Sequence, residues 1–346
     1  MSREVDLEKL ASTWEPKLRD AFLAAVRSII DRASLAVIVR FLENGDFDAA
    51  FRALNIDVAD FSSFAIVHQQ AFNDAGAAVA RSIPPVRQSA GHSFRIVFNV
   101  RSPVAETWVR DKSSRLIQDI VDDQRDVVQK FLQRGLAAGE NPRTTALDLI
   151  GRMSAKSRMR TGGVIGLHST QEQWLANYAR DLGSTDQVTL RSLLSRDLRD
   201  KRFDATVQRA IREGRGIDAD TQAKMRAAYA NKALKWRGDN IARTESIRAM
   251  GAAQTATYQQ AIDNGQFEKA DIRRFWITAG DFRVRPTHRL IPGMNKDGRG
   301  WDEPFQTPHG PTMHAPHDTD PQCRCMERIR VDFLGRAIAK AKARVS

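Results

Sequence analysis

A chain of 346 residues is long enough for a sizeable hydrophobic core and sets an expectation of two domains, or three segments. Hydrophobic residues at 42% and charged residues at 28% exclude wholesale disorder. The 7% of aromatics argues against an aromatic-rich β-barrel, two cysteines exclude a disulfide scaffold, and 54 Lys and Arg against 42 Asp and Glu leave a formal net charge of +12.

Residues 7–85 read as helices. Leu18, Phe22, Ala25, Val26, Ile29 and Ile30 keep a helical period with charges between them. Residues 35–43 continue it, and Asn44-Gly45 supplies a cap and a turn. A short helix is expected over 47–54, and an alanine-rich one over 61–83, stopped by Pro84-Pro85. Phe94, Ile96, Phe98 and Val100 alternate with polar or small residues, so 93–100 is a strand or an extended connector at a boundary. Residues 104–137 form a long amphipathic pattern along Val104, Trp108, Leu116, Ile117, Ile120, Val127, Val128 and Phe131. A short helix over 144–152 with Ile150-Gly151 at its end, a basic loop over 156–163, and a helix over 170–182 capped by Ser169 or Thr170 come next. Residues 190–214 and 218–251 extend the helical array. No stretch approaches the roughly 18 apolar residues of a membrane-spanning helix. The polar N-terminus does not read as a signal peptide, so synthesis in a cytosol is expected.

The character changes near residue 264. Residues 273–278 read as a strand, and 280–322 are rich in Gly, Pro, His and Asp. Residues 323–333 alternate, with Cys323, Cys325, Glu327, Ile329 and Val331 on one face and Arg324, Met326, Arg328 and Arg330 on the other. A short basic helix over 334–344 ends the chain. Ordered loops of this length are usually functional or stapled by something. The expected fold is mainly α: an elongated helical array followed by a small, loop-rich C-terminal α+β domain with a short β-sheet. The expected divisions are 1–90, a helical segment that could dock or oligomerise; 91–263, a domain of long helices; and 264–346.

The charge is uneven. Residues 1–100 carry 11 basic and 12 acidic side chains, 101–200 carry 16 and 13, and 201–346 carry 27 and 17. A basic segment of this kind either binds polyanions through phosphate contacts or simply solvates helix faces. Arg324, Arg328, Arg330, Lys340, Lys342 and Arg344 are its candidate DNA contacts. No element reads as a sequence-specific DNA reader.

His288, His309, His314 and His317 lie close in sequence, and Cys323 and Cys325 follow. Imidazole and thiolate ligands suit zinc, and Cys-x-Cys on a strand turns both sulfurs to one side. His288, His317, Cys323 and Cys325 are therefore candidate zinc ligands. Two reduced thiols in a core are the competing reading, and a disulfide between them would be strained at that spacing. Asp281, Arg283 and His288 could build a hydrolytic or nucleolytic site, with Asp302, Asp318 and Asp320 within reach in sequence. The alternative is a network in which Asp281 pairs with Arg283 and His288 caps the loop. Arg243-Thr244-Glu245, inside the long helix, suggests a structural ion pair.

These residues also carry a resemblance. Arg243-Thr244-Glu245, Trp276, Asp281-Phe282-Arg283, His288, Gly293, Pro316-His317-Asp318 and Cys323-Arg324-Cys325 follow one another as in the Mu F-like domain of phage head morphogenesis and minor head proteins. Upstream, 94–100, the long helix, Ile150-Gly151 and 161–167 resemble the helical part of the same proteins, so the likeness spans 90–330. It implies a structural component of a tailed-phage virion, inside the head near the portal, acting in head assembly, DNA packaging or DNA delivery. The implied partners are the portal protein, the major capsid or scaffold protein, and packaged double-stranded DNA, with no membrane. Members are not established enzymes; a metal-dependent hydrolase or nuclease on the His/Cys/Asp cluster is the alternative.

Overall fold

The computed structural model describes residues 5–87, 93–154, 158–316 and 321–332, the side chains of residues 86 and 87 excepted. Within them the chain is mostly helical, with short two-stranded antiparallel ribbons. In chain order the elements are α1 (Leu7–Arg32), α2 (Leu35–Glu43), α3 (Phe47–Arg52), α4 (Ser62–Ser82), β1 (Val86–Arg87), β2 (Ser93–Phe94), α5 (Pro103–Ala137), α6 (Pro142–Ile150), β3 (Arg152–Met153), β4 (Arg160–Thr161), α7 (Ser169–Leu182), α8 (Gln187–Leu193), α9 (Asp204–Glu213), α10 (Ala219–Asp263), β5 (Ile272–Ile277), α11 (Pro286–Met294) and β6 (Met326–Val331). The mainly helical class and the C-terminal strand pair agree with the reading above.

Local chemistry sets the helix ends. Asp46 accepts from the Ala49 amide at 2.8 Å to start α3. Asn141 accepts from the Arg143 amide at 2.9 Å to start α6, and Pro142 fills the first position, where no amide is needed. The cap of α7 is His168, one residue before the expected Ser169: its Nδ1 accepts from the Thr170 amide at 3.2 Å, and the Gln171 side chain accepts from its own amide at 3.0 Å. The expected stop at Gly251 is absent, because glycine lowers helix propensity without ending a helix whose neighbours are buried. A Cβ at Gly251 would stand 3.3 Å from the Ala315 carbonyl oxygen, so the glycine serves a close approach. Part of the expected basic loop, residues 160–161, is instead strand β4 on β3.

Contacts group the chain into two units. The first comprises Met1–Leu18, Ile66–Ser114 and Asn240–Ser346. Its core draws Leu7, Ala11 and Trp14 from α1, Ala71, Phe72, Ala75 and Val79 from α4, and Met250, Ala253 and Ala256 from α10. The alanines let helices approach closely, and the Phe72 ring stacks on Trp108 at 4.4 Å. β5 and β6 pair antiparallel from Ile272↔Val331 to Ile277↔Met326 and add Ile272, Met326 and Ile329 to this core.

The second unit comprises Arg19–Ala65 and Arg115–Asp239. Phe22, Phe61, Phe64, Leu132, Ile165 and Leu167 are buried in it, and Tyr178 stacks on Tyr229 at 4.4 Å. The segment 162–167 runs through this unit as irregular backbone, so its polar groups need partners. Gln124 supplies two, accepting from the Gly166 amide at 2.5 Å and donating to the Leu167 carbonyl at 2.6 Å. Arg237 donates to the Gly166 carbonyl at 3.1 Å and pairs with Asp123 at 2.9 Å; burial lowers its pKa to about 10, which leaves it charged at neutral pH. Gly162 has a positive φ of 80°, donates its amide to Asn231 at 2.7 Å, and lies so near α10 that a Cβ would fall 2.3 Å from that of Ala227.

Candidate metal centre

The long connection between β5 and β6 contains one regular element among the described residues, α11, in a stretch expected to be loop. Pro286 at its first position starts it. Buried polar side chains hold the remainder. Asn295 donates to the Ile291 and Gln306 carbonyls at 2.8 and 2.9 Å and accepts from the Gln306 amide and from Arg299. Arg274, on the inward face of β5, has a side chain only 1% exposed. It donates to the carbonyls of Gly300 (3.2 Å), Glu303 (2.5 Å) and Met313 (2.6 Å), and pairs with Glu327 at 3.3 Å. Glu327 also accepts from the Ala315 amide at 3.1 Å. This frame went unnoticed in the sequence, although the alternation Ile272, Arg274, Trp276 places Arg274 on the buried side.

The frame brings three predicted ligands together. His288 on α11 and Cys323 and Cys325 just before β6 are all buried, and one donor atom from each lies within 4.8 Å of the others. His288 Nδ1 stands 3.4 Å from the Cys323 sulfur and 3.5 Å from the Cys325 sulfur. Trp276, Ile291, Phe305 and Ala315 form an apolar wall around the thiols, with the Trp276 ring edge-on to His288 at 6.3 Å. A hydrogen bond with Cys325, aided by the Cys325 amide and His288, draws the Cys323 thiol below the usual cysteine range against the opposing effect of burial. All three residues line a cavity of about 240 Å³, together with Arg283, Arg285 and Arg324. The two cysteines are not joined in a disulfide.

Helix α10 abuts this site through Arg243-Thr244-Glu245, and each residue has its own task. Arg243 pairs with Glu15 at 3.3 Å. The Thr244 hydroxyl accepts from the amide of Gln322, the residue before Cys323, at 2.9 Å. Buried Glu245 pairs with Arg248 at 2.7 Å, and its other oxygen lies 3.9 Å from His68 Nε2. That last approach is too long for a hydrogen bond, and burial holds His68 neutral, with its pKa lowered to about 4. The expected ion pair of the motif is therefore two separate pairs.

Residues 201–328 match the family described as Phage Mu protein F like protein. The C-terminal region of this chain is Mu F-like. No curated protein and no solved structure matches the chain. The matched span holds every motif residue named from 243 to 325, whereas the likeness read over 90–200 lies outside it.

Within the Mu F-like region, Asp281 pairs with Arg324 at 2.5 Å instead of with the Arg283 side chain, and accepts from the Arg283 amide at 3.0 Å. That bond to Arg324 holds its carboxyl below the ordinary range. Arg324 also reaches Glu8 at 3.4 Å, so its guanidinium is committed to two carboxylates. The Arg283 guanidinium lies over the exposed Phe282 ring at 5.5 Å, Gly293 is on α11, and Pro316 is buried. Arg330 is exposed on β6 over Phe275, and Arg328 is half-buried. Asp302 pairs with Lys269 on the surface, and His314 meets Glu327 at 3.2 Å. His317, Asp318, Asp320, Lys340, Lys342, Arg344 and the expected terminal helix lie outside the described residues.

Proposed function

We propose that this chain is a minor head protein of a tailed phage, carried inside the head near the portal, where it meets packaged DNA through phosphate contacts. The family match over 201–328 carries the reading and supports a phage head role. The charge supports the finer part: residues 201–346 hold 27 basic against 17 acidic side chains, and Arg330 on β6 is exposed. No described helix is long and apolar enough to cross a membrane.

Mass spectrometry of purified particles tests the location, and crosslinking to portal and capsid subunits tests the partners. Absence of the chain from particles ends the reading. The DNA contact is tested by duplex binding at increasing salt. Three or four neutralised phosphates predict a slope of log K against log salt of about −3. A slope near zero, or strong preference for one sequence, refutes nonspecific phosphate contact.

A further inference from the structure

We propose that His288, Cys323 and Cys325 bind one zinc-class divalent cation, which ties α11 to the segment leading into β6.

Two observations converge on this. The first is distance. Tetrahedral zinc with bonds of about 2.3 Å to sulfur and about 2.0–2.1 Å to nitrogen spaces its sulfur and nitrogen ligands about 3.6 Å apart. The observed separations are 3.4 and 3.5 Å. The second is lone-pair counting. In either tautomer the imidazole Nδ1 makes one good hydrogen bond, donating through a single N–H or accepting through a single in-plane lone pair. Two sulfurs nearly equidistant from that atom are poorly explained as two hydrogen-bond partners. A single cation bound by all three atoms accounts for both contacts at once.

The chemistry and the fold agree. Two thiolates and an imidazole are soft and borderline donors that favour zinc over magnesium or calcium. Two thiolates cancel the dication's charge, so the site can be buried against Trp276, Ile291 and Phe305 without a further counter-ion. The adjoining cavity of about 240 Å³ leaves room for a fourth ligand. The connection from β5 to β6 is mostly irregular backbone, the kind of segment that a structural metal holds in place. The zinc site is independent of the DNA reading, since neither needs the other.

The test uses the full-length chain, expressed with zinc in the medium and dialysed against metal-free buffer under a non-chelating reductant. Elemental analysis is expected to find about one zinc per chain. Exchange for Co²⁺ is expected to give an intense thiolate-to-cobalt charge-transfer band. Cys323→Ser with Cys325→Ser is expected to lose both the zinc and the band, and His288→Ala to lower zinc affinity at least tenfold. In the unaltered chain, zinc is expected to protect both thiols from alkylation until a chelator is added. This arm stands even where a variant misfolds. A wild-type chain with no retained zinc and no cobalt band overturns the proposal. So does a double serine variant that keeps its zinc.

Discussion

Replacing Arg274 by methionine tests the frame of the C-terminal region most directly. The change keeps a long flexible side chain but deletes the guanidinium. Three carbonyls, those of Gly300, Glu303 and Met313, lose a charged donor, and Glu327, 4% exposed, loses its cation. Hydrogen bonds to a charged group are worth about 1.5–3 kcal/mol each, although they do not add fully. Breaking a buried pair from one side costs about 3–5 kcal/mol. Glu327 keeps the Ala315 amide, which softens its share of the loss. We expect a total of about 4 kcal/mol, read as a fall in the urea midpoint with an unchanged slope. In Arg274→Met with Glu327→Gln, the second change removes the stranded charge. The double variant is therefore expected to recover at least about 1 kcal/mol relative to the sum of the single changes. A single variant within about 1 kcal/mol of wild type, or strict additivity, refutes the assignment of Arg274 as the buried hub.

Three further outcomes are expected. His68 has a folded pKa lowered to about 4 against 6.5, so the unfolded chain binds the extra proton. Its stabilising effect is complete above about pH 6.5 and declines as pH falls toward 4, about 3 kcal/mol in all. Urea midpoints of His68→Gln are expected to fall less over that interval than those of wild type; equal losses exclude His68 as the source. Gly162→Ala combines a positive φ with overlap against Ala227 and is expected to cost more than about 2 kcal/mol, while Gly45→Ala, with no atom within 4 Å, bears only the φ penalty of about 1 kcal/mol. Calorimetry of both variants separates the two effects. Trp276 has a buried indole N–H with no hydrogen-bond partner among the described residues, so Trp276→Phe removes a donor left unsatisfied there. Its cost is expected to stay near 1 kcal/mol, against about 3–5 kcal/mol for Trp→Ala; equal costs mean that the indole nitrogen is engaged.

Much of the helical part was legible because its signals are local. Residues 35–43 and 104–137 announce α2 and α5 by period alone, and Gly151 ends α6 where Ile150-Gly151 suggested. The errors have physical causes. The sequence suggests a stop at Gly251, whereas that glycine lies inside α10 and makes room for the Ala315 backbone. The sequence of α11 contains Pro292 and Gly293 and looks like loop; surrounding packing overrides those weak propensities. The Cys-x-Cys and His288 cluster was visible as a composition signal. Its dependence on Arg274, Asn295 and Thr244 was not, because those contacts join residues far apart in the chain. Arg243-Thr244-Glu245 shows the limit: three adjacent residues reach Glu15, Gln322 and Arg248, and no spacing rule specifies such partners.

The pair between Glu8 and Arg324 joins residues 316 positions apart. A ribosome adding about 5–20 residues per second takes roughly 15–60 s to cover that interval. During that time Leu7, Ala11 and Trp14 have left the tunnel before much of the surface that buries them exists. The second unit, confined to residues 19–239, has all its segments much sooner. Synthesis therefore imposes an order: the enclosed unit can finish first, and the one holding the cysteines closes when the last strand arrives. A message truncated before β6 yields a chain whose β5 has lost its partner strand, an open edge and a ready target for chaperones and proteases.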